Sequence, residues 1–176
     1  MKKKVFIIAE IGINHEGNFN KCLKLIKKAK FAGADAVKLQ TINPENNYVS
    51  KSKSFKIFNK GMLSAEETKK VFNYAKKNRI KIFTTCGDIE TAKWVEKLNP
   101  MAWKISSGLI HHIPLISYLS KFKRPMIVST GIAKLNEVSA AIKAIKAKGN
   151  KKIVVLQWTS NYPVKNEDIN LSRIRM

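Results

Sequence analysis

The chain has 176 residues, 44% of them hydrophobic, and its formal net charge of +22 rests on 34 Lys+Arg against 12 Asp+Glu. That length points to a single domain, 1–176, with a sizeable core, and the ordinary apolar content excludes a disordered or fibrous chain. Two distant cysteines, Cys22 and Cys86, exclude a disulfide framework and fit a reducing compartment, while an apolar run broken at Glu10 is too short for a signal core or a membrane span.

The cytoplasm is therefore the expected location, with no membrane partner. The charge raises nucleic acid as a partner. Against it, the lysines are spread over every predicted helix, and the arginines are only Arg79, Arg124, Arg173 and Arg175. No aromatic–basic alternation resembles an RNA-recognition strand, so nucleic acid is disfavoured.

In chain order, Val5 to Ile11 is an apolar, β-branched strand pattern. Asn20 to Ala32 places Cys22, Leu25, Ile26, Ala29 and Ala32 on one helical face with lysines mostly on the other. A turn at Gly33-Ala34-Asp35 leads to strand Ala36 to Gln40. Residues 41–61 read as a polar, lysine-rich connection, long enough to suspect a binding loop or lid. Ser64 is a predicted N-cap with Glu67 as its capping-box partner, and that helix runs to about Asn78. Strand Lys81 to Thr85, helix Ile89 to Leu98 and a short buried strand in Ala102 to Gly108, ending in small hydroxyl residues and a glycine, follow. The rest reads as helix Pro114 to Phe122, strand Met126 to Thr130, helix Leu135 to Lys148 and strand Ile153 to Trp158, then the start of a segment at Asn166.

Six strands with a helix between each pair give the βαβ rhythm of a parallel α/β sheet. An open doubly wound sheet usually has a G-x-G-x-x-G fingerprint at its first turn, which Glu10 to Gly17 lacks. A (β/α)₈ TIM barrel instead sets its chemistry on the C-terminal ends of many strands. Here Glu10, Lys38 with Gln40, Thr85, Lys104 with Ser107, Ser129 and Ser160 all fall at or near such ends. The expected fold is thus a TIM barrel truncated to about six βα units.

Several strands end in small hydroxyl residues and glycine: Thr84-Thr85-Cys86-Gly87, Ser106-Ser107-Gly108, Ser129-Thr130-Gly131 and Thr159-Ser160. Lys104 stands among apolar neighbours, and a lysine in such a strand is costly to bury unless an anion meets it. The pattern suggests a crown of donors for a phosphate or carboxylate. Ser107, Ser129 and Thr85 could equally cap the following helices. His111 and His112 are adjacent and point in different directions, a poor two-ligand metal site. Cys86 lacks an identifiable base.

Ala9-Glu10-Ile11-Gly12-Ile13-Asn14-His15-Glu16-Gly17, Val37-Lys38-Leu39-Gln40, Lys104-Ile105-Ser106-Ser107-Gly108, Ser129-Thr130-Gly131 and Thr159-Ser160-Asn161-Tyr162-Pro163 together resemble the sialic acid synthase family. That family includes N-acetylneuraminate, legionaminate and pseudaminate synthases. The resemblance implies a TIM-barrel transferase that condenses phosphoenolpyruvate with an N-acetylated amino sugar to a nine-carbon 2-keto acid. It also implies a divalent metal, manganese or magnesium, and a C-terminal antifreeze-like domain in the intact family. Glu10 resembles the carboxylate near the phosphoenolpyruvate carbons, and Lys38 and Lys104 the cations facing its anionic groups. Thr85, Ser107, Ser129 and Ser160 resemble the surrounding hydroxyl donors; Gln40 and Tyr162 match positions touching the sugar.

The departures are specific. Leu109 stands where the family commonly has an acidic residue, and His112 where it has an asparagine. The family's metal-binding histidines lie on later strands, so no metal ligands are expected in this chain. The expected partners are phosphoenolpyruvate, an N-acetylated amino sugar, and a second copy or a complementing chain. Two alternatives remain: a non-catalytic anion- or nucleic-acid-binding relative of the barrel, and an aldolase-like relative with a Schiff-base lysine.

Overall fold

The computed structural model describes residues 5–161 and 163–175, and its strands and helices alternate as the sequence pattern predicts. The chain divides into two units, Met1–Met101 and Ala102–Met176. In the first, β1 (Ile8–Gly12) pairs in parallel with β2 (Ala36–Thr41), and β2 with β3 (Lys81–Cys86). Helix α1 (Phe19–Phe31) connects β1 to β2. Helices α2 (Pro44–Asn47), α3 (Lys53–Gly61) and α4 (Ala65–Lys77) connect β2 to β3, and α5 (Ile89–Glu96) follows β3.

The register sorts the side chains. Ala9 lies opposite Val37, Val37 opposite Ile82 and Leu39 opposite Thr84. Ala9, Val37, Leu39 and Ile82 pack with Cys22 and Ile26 of α1 and Val71, Phe72 and Ala75 of α4. Alternation then places Glu10, Lys38, Gln40, Phe83 and Thr85 on the opposite face. β2 is buried on both faces over Ala36–Leu39, as a strand inside a parallel sheet should be.

Helix α1 starts at Asn18, whose side chain accepts from the Lys21 amide. Its Lys24, Lys27 and Lys28 are exposed, opposite buried Cys22 and Ile26, so these lysines form a solvated face. The capping box at the head of α4 is present: Ser64 Oγ accepts from the Glu67 amide at 3.2 Å, and Glu67 Oε2 accepts from the Ser64 amide at 2.9 Å. Ser64→Ala is expected to lower unfolding free energy by about 1 kcal/mol, measured by urea titration, with the fold unchanged.

The polar connection over 41–61 is not a plain loop. Asn43 accepts from the Glu45 amide and Pro44 opens α2; Ser52 accepts from the Phe55 amide and opens α3. Tyr48 and Phe58 stack at 5.2 Å between ring centroids, which joins the two helices. At Gly87 a β-carbon would overlap the Asn47 side-chain amide, so the missing side chain is what lets α2 close over the end of β3.

In the second unit, β4 (Trp103–Ile105) pairs in parallel with β5 (Met126–Ser129), and β5 with β6 (Ile153–Leu156). Helices α6 (Ile113–Ser120) and α7 (Leu135–Ala147) are the connections. Trp103, Ile105, Leu115, Ile116, Leu119, Met126, Val128, Ala141 and Ile145 are buried. Val154 and Val155 of β6, neighbours on opposite faces, are 49% and 44% exposed. The segment at Asn166 forms two 3-10 turns, Asn166–Asp168 and Leu171–Arg175.

Candidate functional site

Among the described residues each unit has one buried lysine, Lys38 in the middle of β2 and Lys104 in β4, and each is held by its neighbours. In the first unit Lys38 is nearly sealed while Glu10 remains half-exposed. The Lys38 ammonium lies 2.9 and 3.0 Å from the two Glu10 carboxylate oxygens. Burial pulls the Lys38 pKa down, and the adjacent Glu10 charge opposes that pull. Gly12 sits at the register shift between β1 and β2 with φ +55°. A β-carbon there would stand 3.2 Å from Gln40 Oε1 and 3.3 Å from Glu10 Oε1. Glycine thus permits the close approach of Glu10 and Gln40, and the sequence-predicted Glu10, Lys38 and Gln40 come together.

Thr85 is placed beside Gln40 in the β2–β3 register. It is fully buried, and its hydroxyl has no hydrogen-bond partner among the described residues. A buried unsatisfied hydroxyl costs about 1–3 kcal/mol, which a bound acceptor would recover.

In the second unit the Lys104 ammonium, 9% exposed, donates to Ile105 O at 2.8 Å and to Ser129 Oγ at 2.6 Å. Because the Ser129 oxygen accepts from that ammonium, its own proton remains available to an anion. Ser107 Oγ likewise accepts from the Gly131 amide at 3.0 Å and keeps its proton. A β-carbon at Gly131 would overlap Ser160 Oγ and Trp158 Cδ1 and stand 3.0 Å from Ser107 Oγ. Gly131 therefore gathers Ser107 and Ser160. Tyr162 lies outside the described residues.

The capping roles considered for the hydroxyls fall elsewhere. Asp88, not Thr85, caps α5, with Oδ1 accepting from the Thr91 amide at 2.8 Å. His112 caps α6 through Nδ1, which accepts from the Leu115 amide at 3.3 Å. That is the work an asparagine can do at a helix start, so the departure at His112 preserves the cap. Asp88 stands three residues before the amide it caps, an N-cap signal the sequence did contain.

Leu109 ends the 3-10 turn Ser107–Leu109 and brings no carboxylate there. His15 is buried; its Nδ1 accepts from the Gly17 amide at 3.3 Å, and burial lowers its pKa, so it braces the loop after β1. His111 pairs loosely with Glu137, at 3.7 Å, and not with His112. Burial pushes the Cys86 thiol well above its ordinary range and Cys22 up to about 12, so neither is a ready nucleophile. Among the described residues no three His, Cys, Asp or Glu gather as a metal site, and no helix is long and apolar enough to cross a membrane.

Comparison with known proteins places these features in a family. The chain is 36% identical over 183 residues to the spore coat polysaccharide biosynthesis protein SpsE of Bacillus subtilis, covering 98% of this chain and 49% of that protein. It is 34% identical over 186 residues to a pseudaminic acid synthase of Campylobacter jejuni, covering 98% and 54%. It therefore spans about half the length of these curated relatives. Its structure resembles an N-acetylneuraminic acid synthetase from Leptospira borgpetersenii crystallised with citrate, with a TM-score of 0.93 and 29% identity over 98% of this chain and 60% of that one. The profile of the NeuB family matches residues 25–176, and the chain belongs to that family.

Proposed function

We propose that this chain forms the phosphoenolpyruvate-binding part of a sialic acid-type synthase, a truncated (β/α)₈ barrel that acts in cell-surface carbohydrate biosynthesis. The observation that carries the reading is the pair of buried lysines, Lys38 in β2 against Glu10 and Lys104 in β4 against Ser129. Phosphoenolpyruvate bears a carboxylate and a phosphate, and buried ammonium groups with short hydroxyl donors are suited to both.

In the reaction, the phosphoenolpyruvate methylene carbon bonds to the sugar aldehyde carbon, whose oxygen gains a proton. Water supplies the oxygen at the keto carbon, and inorganic phosphate departs. In the first unit Lys38 and Thr85 would attract an anionic group and Gln40 would meet the sugar; in the second, taken by itself, Lys104, Ser107, Ser129 and Ser160 would hold an anionic group. Glu10 would exchange its contact with Lys38 for a proton-handling role at the enol carbons. A divalent metal would polarise the aldehyde in the intact family. The described residues offer no cluster of three or more His, Cys, Asp or Glu to hold one.

Calorimetric titration with phosphoenolpyruvate is the test. Saturable one-site binding is expected, and a folded chain that fails to bind would refute the reading for this chain. The affinity should also fall as pH rises. The ammonium form of Lys38 carries the attraction, and burial lowers the pKa at which that proton is lost. The decline should therefore begin below the range of an exposed lysine, and Lys38→Arg should move it to higher pH.

Leu109 favours a second reading, a relative that binds the anion without turnover. Binding with no phosphate release in the presence of an N-acetylated amino sugar would establish it.

A further inference from the structure

We propose that the end of the first unit opposite Gln40 and Thr85 is a peripheral docking surface for an anionic lipid bilayer.

Parallel strands β1, β2 and β3 all begin at this end, and helices α1 and α4 both finish there. Its parts are tied together. The Ile7 amide donates to Asp35 Oδ2 at 2.8 Å, and the Asp35 amide returns a bond to Ile7 O at 2.9 Å. The Lys30 ammonium donates to Asn78 O. These bonds set the residues before β1 beside the α1–β2 turn and join the tail of α1 to that of α4.

Two features meet on this surface. The first is apolar: Phe31, the last residue of α1, is 95% exposed, and Val5, Phe6 and Ile7 are exposed as well. A phenylalanine left almost wholly in water forfeits what burial would give it. The second is charge. Lys28 and Lys30 close α1, Lys76 and Lys77 close α4, and Lys81 opens β3 with its ammonium 5.0 Å from the centre of the Phe6 ring. Cations at helix ends also complement the carbonyls there. That accounts for the helix lysines one at a time, and leaves Phe31 beside them unexplained.

Apolar side chains ringed by lysines are the chemistry of an interfacial anchor. The rings enter the acyl boundary while the ammonium groups meet the charges of anionic headgroups. Nucleic acid offers charge but no acyl layer for Phe31 and Val5. Arg79 stands among lysines, so the planar fork that suits phosphodiesters is scarce here. Such a contact needs no spanning segment, and no described helix is long and apolar enough to be one. In this orientation the strand ends that carry Gln40 and Thr85 point away from the lipid, toward dissolved substrates.

The test is co-sedimentation of the full chain with vesicles of phosphatidylcholine, alone or mixed with phosphatidylserine, at about 0.1 M salt, where screening reaches ~10 Å. Binding is expected only to the anionic vesicles. Phe31→Ser should weaken it about tenfold, the loss of one buried aromatic side chain. Lys76→Glu with Lys77→Glu should weaken it at least about 25-fold, roughly fivefold for each lysine. Lys53→Glu with Lys56→Glu makes the same charge change on α3, which packs against the loop after β1, and should leave binding within about threefold of wild type. All these side chains are exposed, and circular dichroism checks that each variant is folded. Absence of binding to anionic vesicles, or wild-type binding by Phe31→Ser, would overturn the proposal. So would equal weakening by the two charge-reversed pairs, which would show the +22 charge acting as a whole. Duplex DNA binding that depends on Lys76 and Lys77, with no vesicle binding, would give the surface to nucleic acid instead.

Discussion

Lys104→Met should weaken phosphoenolpyruvate binding at least about 30-fold while leaving the chain folded. The substitution keeps an unbranched apolar stem of similar length, so the packing around β4 is retained. What it removes is the ammonium that donates to Ile105 O and Ser129 Oγ. Truncating a buried charged partner of an anion costs about 2–5 kcal/mol of affinity, which at its midpoint corresponds to more than two decades. The loss is twofold, because Ser129 is oriented by the same ammonium and its proton is no longer directed. Lys104→Arg should restore only part of the affinity: the planar guanidinium is wider than the ammonium and would crowd Ser129. Calorimetry with a thermal melt of each variant decides it. An affinity within threefold of wild type in folded Lys104→Met would remove Lys104 from the anion site.

Gly131→Ala should also damage binding, for a different reason. One methyl group placed on Gly131 collides with Ser160 and Trp158 and presses on Ser107. Trp158 is too bulky to yield without moving the end of β6, and the Gly131 amide is tied to Ser107 Oγ at 3.0 Å. Overpacking of this kind costs about 1–3 kcal/mol, and the relaxation separates the Ser107 and Ser160 hydroxyls. A lowered melting temperature together with at least a tenfold loss of phosphoenolpyruvate affinity is expected. Wild-type affinity with a lowered melting temperature would show that Gly131 serves folding alone.

The strands and the longer helices were legible because their apolar period is strong. Cys22 and Ile26 on α1 and Val71, Phe72 and Ala75 on α4 repeat at helical spacing, and Ser64 with Glu67 announces a helix start that the structure contains. Helices α2 and α3 were hidden by their brevity and composition. Their start signals, Asn43-Pro44 and Ser52, were present, but four- and nine-residue elements rich in polar groups leave little periodicity to read. For the site, the residue types at the strand ends were readable; their partners were not. That Lys38 would face Glu10 depends on register across β1 and β2, and that Gly131 would meet Ser160 depends on packing between residues 29 positions apart in sequence. A cavity lined by His15, by residues 39–43, by residues of 62–68 and by Thr91 and Trp94 left no local signal, since its wall is assembled from four separate stretches of chain.

The exposure of Val154 and Val155 has a practical side for anyone handling the protein. β6 is joined to β5 along one edge, and among the described residues Val154 and Val155 stay about half exposed. At low ionic strength the +22 charge holds copies apart, because repulsion between like-charged bodies reaches well beyond the contact distance. Added salt shortens that reach without weakening strand pairing or apolar attraction. Buffer salt thus acts as a colloidal control: light scattering should rise steeply between dilute buffer and about 0.5 M sodium chloride, where screening falls to only a few ångströms, and Val155→Lys should flatten that rise.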